Sequence, residues 1–79
     1  MIKATDSFKR LEVLVEKQQI TFYALGKAVG IPSSFFSEWK RGKMMPKIDK
    51  LLILANYFGV PVTYFVGATE AAGETEEVR

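Results

Sequence analysis

The chain has 79 residues, 48% of them hydrophobic and 25% charged, a composition typical of one small globular domain. It contains no cysteine and no histidine, which excludes disulfide bonds and zinc sites of the usual Cys/His type. No apolar run approaches the ~20 residues that a membrane-spanning helix needs, so no membrane partner is expected. The lack of cysteine fits a reducing compartment, and the predicted location is the cytoplasm.

The net charge of +2 hides a difference between two parts of the chain. Residues 1–67 carry ten Lys and Arg against five Asp and Glu, whereas residues 68–79 carry four Glu against Arg79. A basic body indicates an anionic partner. We therefore predict a folded domain over residues 1–67, followed by a flexible acidic tail or linker stub over residues 68–79.

Apolar residues at helical spacing predict the first two helices. Asp6 or Thr5 is expected to cap the first helix, which runs to about Gln18. Thr21 is expected to cap the second helix, and Gly30 to end it, because glycine readily adopts the left-handed backbone of a helix C-terminus.

A third helix is predicted directly after a short turn. Pro32 can open it, because the first N–H groups of a helix have no helical partner, and Gly42 follows its end near Lys40. Gly26 is small enough to let the second and third helices cross closely. The residues expected to bury one shared face are Leu25, Val29, Ile31, Phe36 and Trp39. Those expected to face outward from the third helix are Ser33, Ser34, Phe35, Ser37 and Glu38.

Two more helices complete an all-α prediction. A fourth is expected over about Ile48 to Phe58 with Gly59 after its end, and a short fifth over about Val62 to Val66. The predicted inward residues of the fourth helix are Ile48, Leu51, Leu52, Leu54, Ala55 and Phe58.

The stretch from Ile20 to Lys43 resembles the helix-turn-helix of the phage repressor and Cro-like (Xre-type) regulators. The resemblance continues through Pro46 and the aliphatic helix around residues 51–55 to residues 59–67, and it covers about residues 8–67. It implies a compact five-helix, lambda-repressor-like DNA-binding domain, which usually acts as a homodimer on a palindromic double-stranded DNA operator.

The resemblance also assigns roles to individual positions. The family's base-reading positions match Ser33, Ser34 and Glu38, and Phe35 and Ser37 complete the predicted base contacts on the same outward face. Serines on a helix are otherwise an ordinary solvated face. The predicted phosphate contacts are Thr21, Phe22, Lys40, Arg41, Lys43 and Lys47. The residues predicted to pair two copies, or else simply to close the core, are Val60, Val62, Thr63 and Tyr64.

The chain departs from the family pattern at three points. Phe22 replaces a glutamine that often binds phosphate, and prolines at positions 32 and 61 replace the usual capping Ser or Thr. Val15 and Lys40 stand where many relatives pair an Arg with a Glu. Because both partners of that ion pair are replaced, no buried charge is left without a partner. Val15 is therefore expected inside and Lys40 outside.

The predicted function is sequence-specific regulation of transcription, most simply repression, by a small whole protein or the N-terminal domain of a longer one. The alternative is a protein-interaction module, such as an antitoxin or an anti-repressor partner, which Phe22 and an exposed Phe35 would favour. Enzyme activity is not expected, because the sequence has no histidine, cysteine, glycine-rich phosphate loop or evident carboxylate pair. No metal, cofactor or small-molecule ligand is expected either.

Overall fold

The computed structural model describes residues 2–67, and these contain five helices and no strand. The all-α prediction is therefore confirmed. The predicted tail, residues 68–79, lies outside the described residues. The helices are α1 Ala4–Gln18, α2 Phe22–Val29, α3 Ser33–Lys40, α4 Ile48–Phe58 and α5 Thr63–Val66.

The ends of α2 and α4 follow the predicted capping chemistry. Thr21 precedes α2, and its side-chain oxygen accepts a hydrogen bond of 3.0 Å from the backbone N–H of Ala24. Gly30 and Gly59 end the two helices with φ angles of 74° and 70°, in the left-handed region that favours glycine.

The start of α1 differs from the prediction. The helix begins at Ala4, its N-cap is Lys3, and no side chain caps it, so the expected cap at Asp6 or Thr5 is wrong. Asp6 instead lies in the first turn, where a carboxylate interacts favourably with the positive end of the helix dipole. The fifth helix is also one residue shorter than predicted, since Val62 is its N-cap.

The core joins one face of every helix, and Trp39 lies at its centre. The indole ring is fully buried and meets the ring of Phe8 edge-on, with centroids 5.5 Å apart. On another side it lies 6.4 Å from the ring of Phe65 in α5. Val15 is buried in the same cluster while Lys40 is exposed, as predicted. Full burial of each large apolar side chain stabilises the fold by roughly 1.5–3 kcal/mol.

The predicted inward face of α4 is only partly correct. Leu51, Leu54 and Ala55 are buried, but Ile48 and Leu52 are exposed. Eight of the eleven residues of this helix are apolar and they occur on most of its sides, so sequence spacing alone does not select the inward side. Contacts with the other helices decide it.

Candidate nucleic-acid interface

The turn between α2 and α3 fixes the relative placement of these two helices. The backbone N–H of Ile31 donates to the carbonyl of Gly26 over 2.9 Å, so the chain turns back against α2 immediately after it ends. A Cβ atom on Gly26 would overlap the Ile31 carbonyl oxygen and lie 3.5 Å from the ring of Phe36. The predicted close crossing of α2 and α3 is confirmed, and it requires glycine at this position.

Helix α3 has an apolar back and a mostly polar front. Phe36 and Trp39 are buried behind it, whereas Ser33, Ser34 and Ser37 are exposed in front. Glu38 is exposed on the same helix. The structure therefore presents a short polar helix face to the surroundings, braced from behind by two aromatic side chains.

Phe35 is less exposed than its predicted outward position implies. The residue is half-buried, and its ring meets the rings of Phe36 and Trp39 edge-on at 6.0 and 6.4 Å. Together with Met44 and Met45 it borders a depression of about 300 Å³ beside the loop that follows α3. A base contact by Phe35 stays a prediction, and it would involve only the uncovered edge of the ring.

Phe22 packs inward at the start of α2. Its ring stacks on that of Phe8, with centroids 5.1 Å apart and planes at 18°, and lies 5.5 Å from the ring of Phe36. The side chain of Phe22 thus braces α3 through apolar contact, at a position where the family that the chain resembles often has a polar residue. Any anion at this end of α2 would meet backbone N–H groups rather than the ring, because the first turn of a helix has unpaired donors.

A basic loop follows α3 and is held against it. The backbone N–H groups of Gly42 and Lys43 donate to the carbonyls of Trp39 and Glu38 over 2.9 and 3.0 Å. Gly42 has a φ angle of 75°, which lets the loop turn sharply. Most of the side chains predicted to contact phosphate are exposed. They are those of Thr21, Lys40, Arg41, Lys43 and Lys47.

The predicted pairing residues are half-buried rather than open. Val60, Val62, Thr63 and Tyr64 all have intermediate exposure, and the hydroxyl of Tyr64 donates to the carbonyl of Arg10 over 2.9 Å. These residues help to close the domain on itself, and their role in pairing stays a prediction.

Sequence spacing missed two polar features of the fold. Ser7 is fully buried, and its hydroxyl donates to the carbonyl of Phe65 over 2.6 Å. The guanidinium of Arg10 donates to the carbonyl of Tyr64 over 3.0 Å. A small polar residue within the apolar stripe of α1 is the signal that could have identified Ser7, whereas no local signal identifies the partner of Arg10.

Within residues 2–67, none of the helices has the length and apolar character that a membrane-spanning helix needs. Among the same residues, no group of three or more His, Cys, Asp or Glu is placed to hold a metal ion.

The described residues define a small all-α domain built around a helix-turn-helix, with an exposed polar helix beside a basic loop. The family model HTH_3, Helix-turn-helix, matches residues 12–65, and the chain belongs to this family. The chain is also similar to an uncharacterized HTH-type transcriptional regulator, YobD, of Bacillus subtilis (strain 168). The two are 32% identical over 62 residues, which is 78% of this chain and 55% of that protein.

The chain therefore spans about half the length of this curated relative. No solved structure matches the chain significantly.

Proposed function

We propose that this domain binds double-stranded DNA and regulates transcription, with α3 lying in the major groove. The observation that carries the proposal is the orientation of α3, with Phe36 and Trp39 buried behind it and its serines exposed in front. A helix of about 10–12 Å diameter fits a major groove about 12 Å wide. Membership of the helix-turn-helix family and the similarity to a transcriptional regulator support the same function.

Base reading is assigned to the exposed front of α3. Hydroxyl groups donate or accept hydrogen bonds at most base edges, which suits Ser33, Ser34 and Ser37. The carboxylate of Glu38 can accept from a cytosine amino group, and this donor would offset its repulsion from the phosphates. The uncovered edge of Phe35 can contact a thymine methyl group.

Phosphate binding is assigned to the two sides of α3. On one side, the free N–H groups at the start of α2, near Thr21 and Phe22, can donate to phosphate oxygens. On the other side, the cations of the basic loop attract the backbone electrostatically and set the salt dependence of binding. The side chains proposed for the second role are Lys40, Arg41, Lys43 and Lys47.

The finer proposal is a phage-type repressor that acts as a homodimer on a palindromic operator in the bacterial cytoplasm. A two-fold symmetric dimer presents two copies of α3 to successive major grooves on one face of the duplex, which matches a palindromic site. Val60, Val62, Thr63 and Tyr64 are proposed to contribute to that dimer at the edge of α5.

The alternative of a protein-interaction module loses the two features that favoured it. Phe22 is stacked on Phe8 and Phe35 is partly covered by neighbouring rings, so neither presents a free aromatic side chain to a partner. DNA binding accounts better for an exposed polar helix between a helix N-terminus and a basic loop.

Selection of bound sites from a random duplex library tests the proposal. The expected result is an enriched two-fold symmetric site with half-sites about 10–10.5 base pairs apart or a multiple of this, bound with an affinity that falls steeply with salt. Failure to enrich any sequence, together with salt-insensitive binding, would overturn the proposed function.

A further inference from the structure

Helix α4 carries an unusual amount of exposed apolar surface. The exposed fractions are 57% for Ile48, 45% for Leu52, 39% for Ile53 and 48% for Tyr57. All four lie within an eleven-residue helix whose other side packs on the core through Leu51, Leu54 and Ala55. Exposed apolar side chains that lie close together on a small domain often mark an interaction surface.

The pattern on this outward face is symmetric. At about 100° per residue, Asp49 and Asn56 lie about 10° to either side of the face's midline. Leu52 and Ile53 lie about 50° to either side, and Ile48 and Tyr57 form the two edges. The three pairs are also equally spaced above and below the point midway between residues 52 and 53. We refer to these six residues as the α4 outer face.

We propose that the α4 outer face binds the same face of a second copy of this chain, with the two α4 helices antiparallel. This contact is separate from the one proposed at the edge of α5. The two-fold axis lies in the interface, perpendicular to both helices and level with the point midway between residues 52 and 53. It makes the helices antiparallel and places each edge of the face beside the same edge of the other copy. The Leu52 side chains of the two copies then meet on one side of the axis, and the Ile53 side chains on the other.

The polar residues of the α4 outer face support this pairing. In the same arrangement Asp49 of one copy lies opposite Asn56 of the other, on the midline and at the same height. The carboxylate of Asp49 can accept a hydrogen bond from the side-chain amide of Asn56, and the symmetry produces this pair twice. An unrelated partner would need no such self-complementary order, so a second copy is the occupant that the pattern favours.

The pairing is expected to be modest in strength. One face of a helix about 16 Å long gives a contact at the small end of specific interfaces. Dimerisation through this face is therefore expected to depend on protein concentration. Self-association itself does not require DNA, so the two proposals can fail separately.

The test uses opposite charges at one position. Leu52→Glu and Leu52→Lys each bring like charges together at the two-fold axis, and each is expected to weaken self-association by more than about tenfold. An equimolar mixture of the two variants is expected to form a heterodimer, because unlike charges then meet. Sedimentation equilibrium without DNA measures both effects, and circular dichroism checks that the exposed substitutions leave the helices folded.

Two controls fix the face and the register. Val13 on α1 is 45% exposed, as is Leu52, and Val13→Glu and Val13→Lys are expected to leave self-association unchanged. A mixture of Leu52→Glu with Ile53→Lys is expected to recover less than the Leu52 pair, because positions 52 and 53 lie on opposite sides of the face. A chain that stays monomeric at all accessible concentrations, or a Leu52→Glu variant that associates like the unmodified chain, overturns the inference.

Binding to a duplex with a single half-site separates this inference from the proposed function. Leu52→Glu is expected to retain half-site binding, since α4's outer face is not part of the proposed contact set. If self-association is absent while half-site binding persists, the pairing is overturned and DNA binding stands. If self-association occurs without any DNA binding, the proposed function is overturned and the pairing stands.

Discussion

Arg10 and Tyr64 each donate a side-chain hydrogen bond to the other's backbone carbonyl, and so tie α1 to α5. The guanidinium-to-carbonyl distance is 3.0 Å and the hydroxyl-to-carbonyl distance is 2.9 Å. The two residues are 54 positions apart in the sequence. The short α5 has only four residues, too few to be stable alone, so this reciprocal pair and the burial of Phe65 hold it in place.

Tyr64→Phe is expected to lower the free energy of unfolding by about 1 kcal/mol, because the Arg10 carbonyl loses its hydroxyl donor at a half-buried site. Urea denaturation measures the change. Tyr23→Phe, an equal chemical change at an exposed residue of α2, is expected to stay within about 0.5 kcal/mol of the unmodified chain. Equal effects at both positions would show that the Tyr64 hydroxyl does not stabilise the fold.

Gly26→Ala is expected to destabilise the domain by roughly 1–3 kcal/mol, although alanine favours helices. The added Cβ would overlap the Ile31 carbonyl oxygen and force α2 and α3 apart. Thermal and urea unfolding measure the loss, and Lys27→Ala, at the next and exposed position, serves as the matched control. An unchanged or raised stability for Gly26→Ala would contradict the close crossing of the two helices.

Lys43→Ala is expected to weaken binding to specific and random duplexes alike and to reduce the slope of log affinity against log salt by about 1. The exposed ammonium of Lys43 lies in the loop that is hydrogen-bonded to the end of α3, and this loop is proposed to contact the DNA phosphates. Affinity measured across a salt series reports the slope. Lys17→Ala, which removes an exposed lysine from the end of α1, is expected to leave the slope unchanged. Identical slopes for both variants would remove Lys43 from the phosphate-contact set.

Ser34→Ala is expected to change the preference at one or two base pairs by about 1 kcal/mol or more, with little effect on random DNA. The side chain is exposed on the front of α3, so the fold should tolerate the change. Competition binding with single-base variants of the selected site measures the effect. A uniform loss of affinity for every sequence, as expected for Lys43→Ala, would mean that Ser34 does not read a base.

Much of the fold is predictable because the residues that begin and end its helices act locally. Gly30, Gly59 and Thr21 act through their own backbone or through atoms three residues away, so both ends of α2 and the C-terminal end of α4 follow from the sequence. The buried and exposed sides of α3 were also predictable, because serines and aromatics alternate there at helical spacing.

The helix order, the close crossing at Gly26 and the polar front of α3 follow from the amino-acid sequence, since each depends on residues near one another in the chain. Packing fixes three features that the sequence leaves open: α4 turns Ile48 and Leu52 outward, Phe35 is partly covered, and Ser7 and Arg10 bond to α5. The bonds of Ser7 and Arg10 join α1 to α5 across more than 50 residues of chain, with a separation of 58 for the Ser7–Phe65 bond. Hydrophobic burial has no preferred direction, and a helix with apolar residues on most of its sides can pack by more than one of them until its neighbours fix the choice.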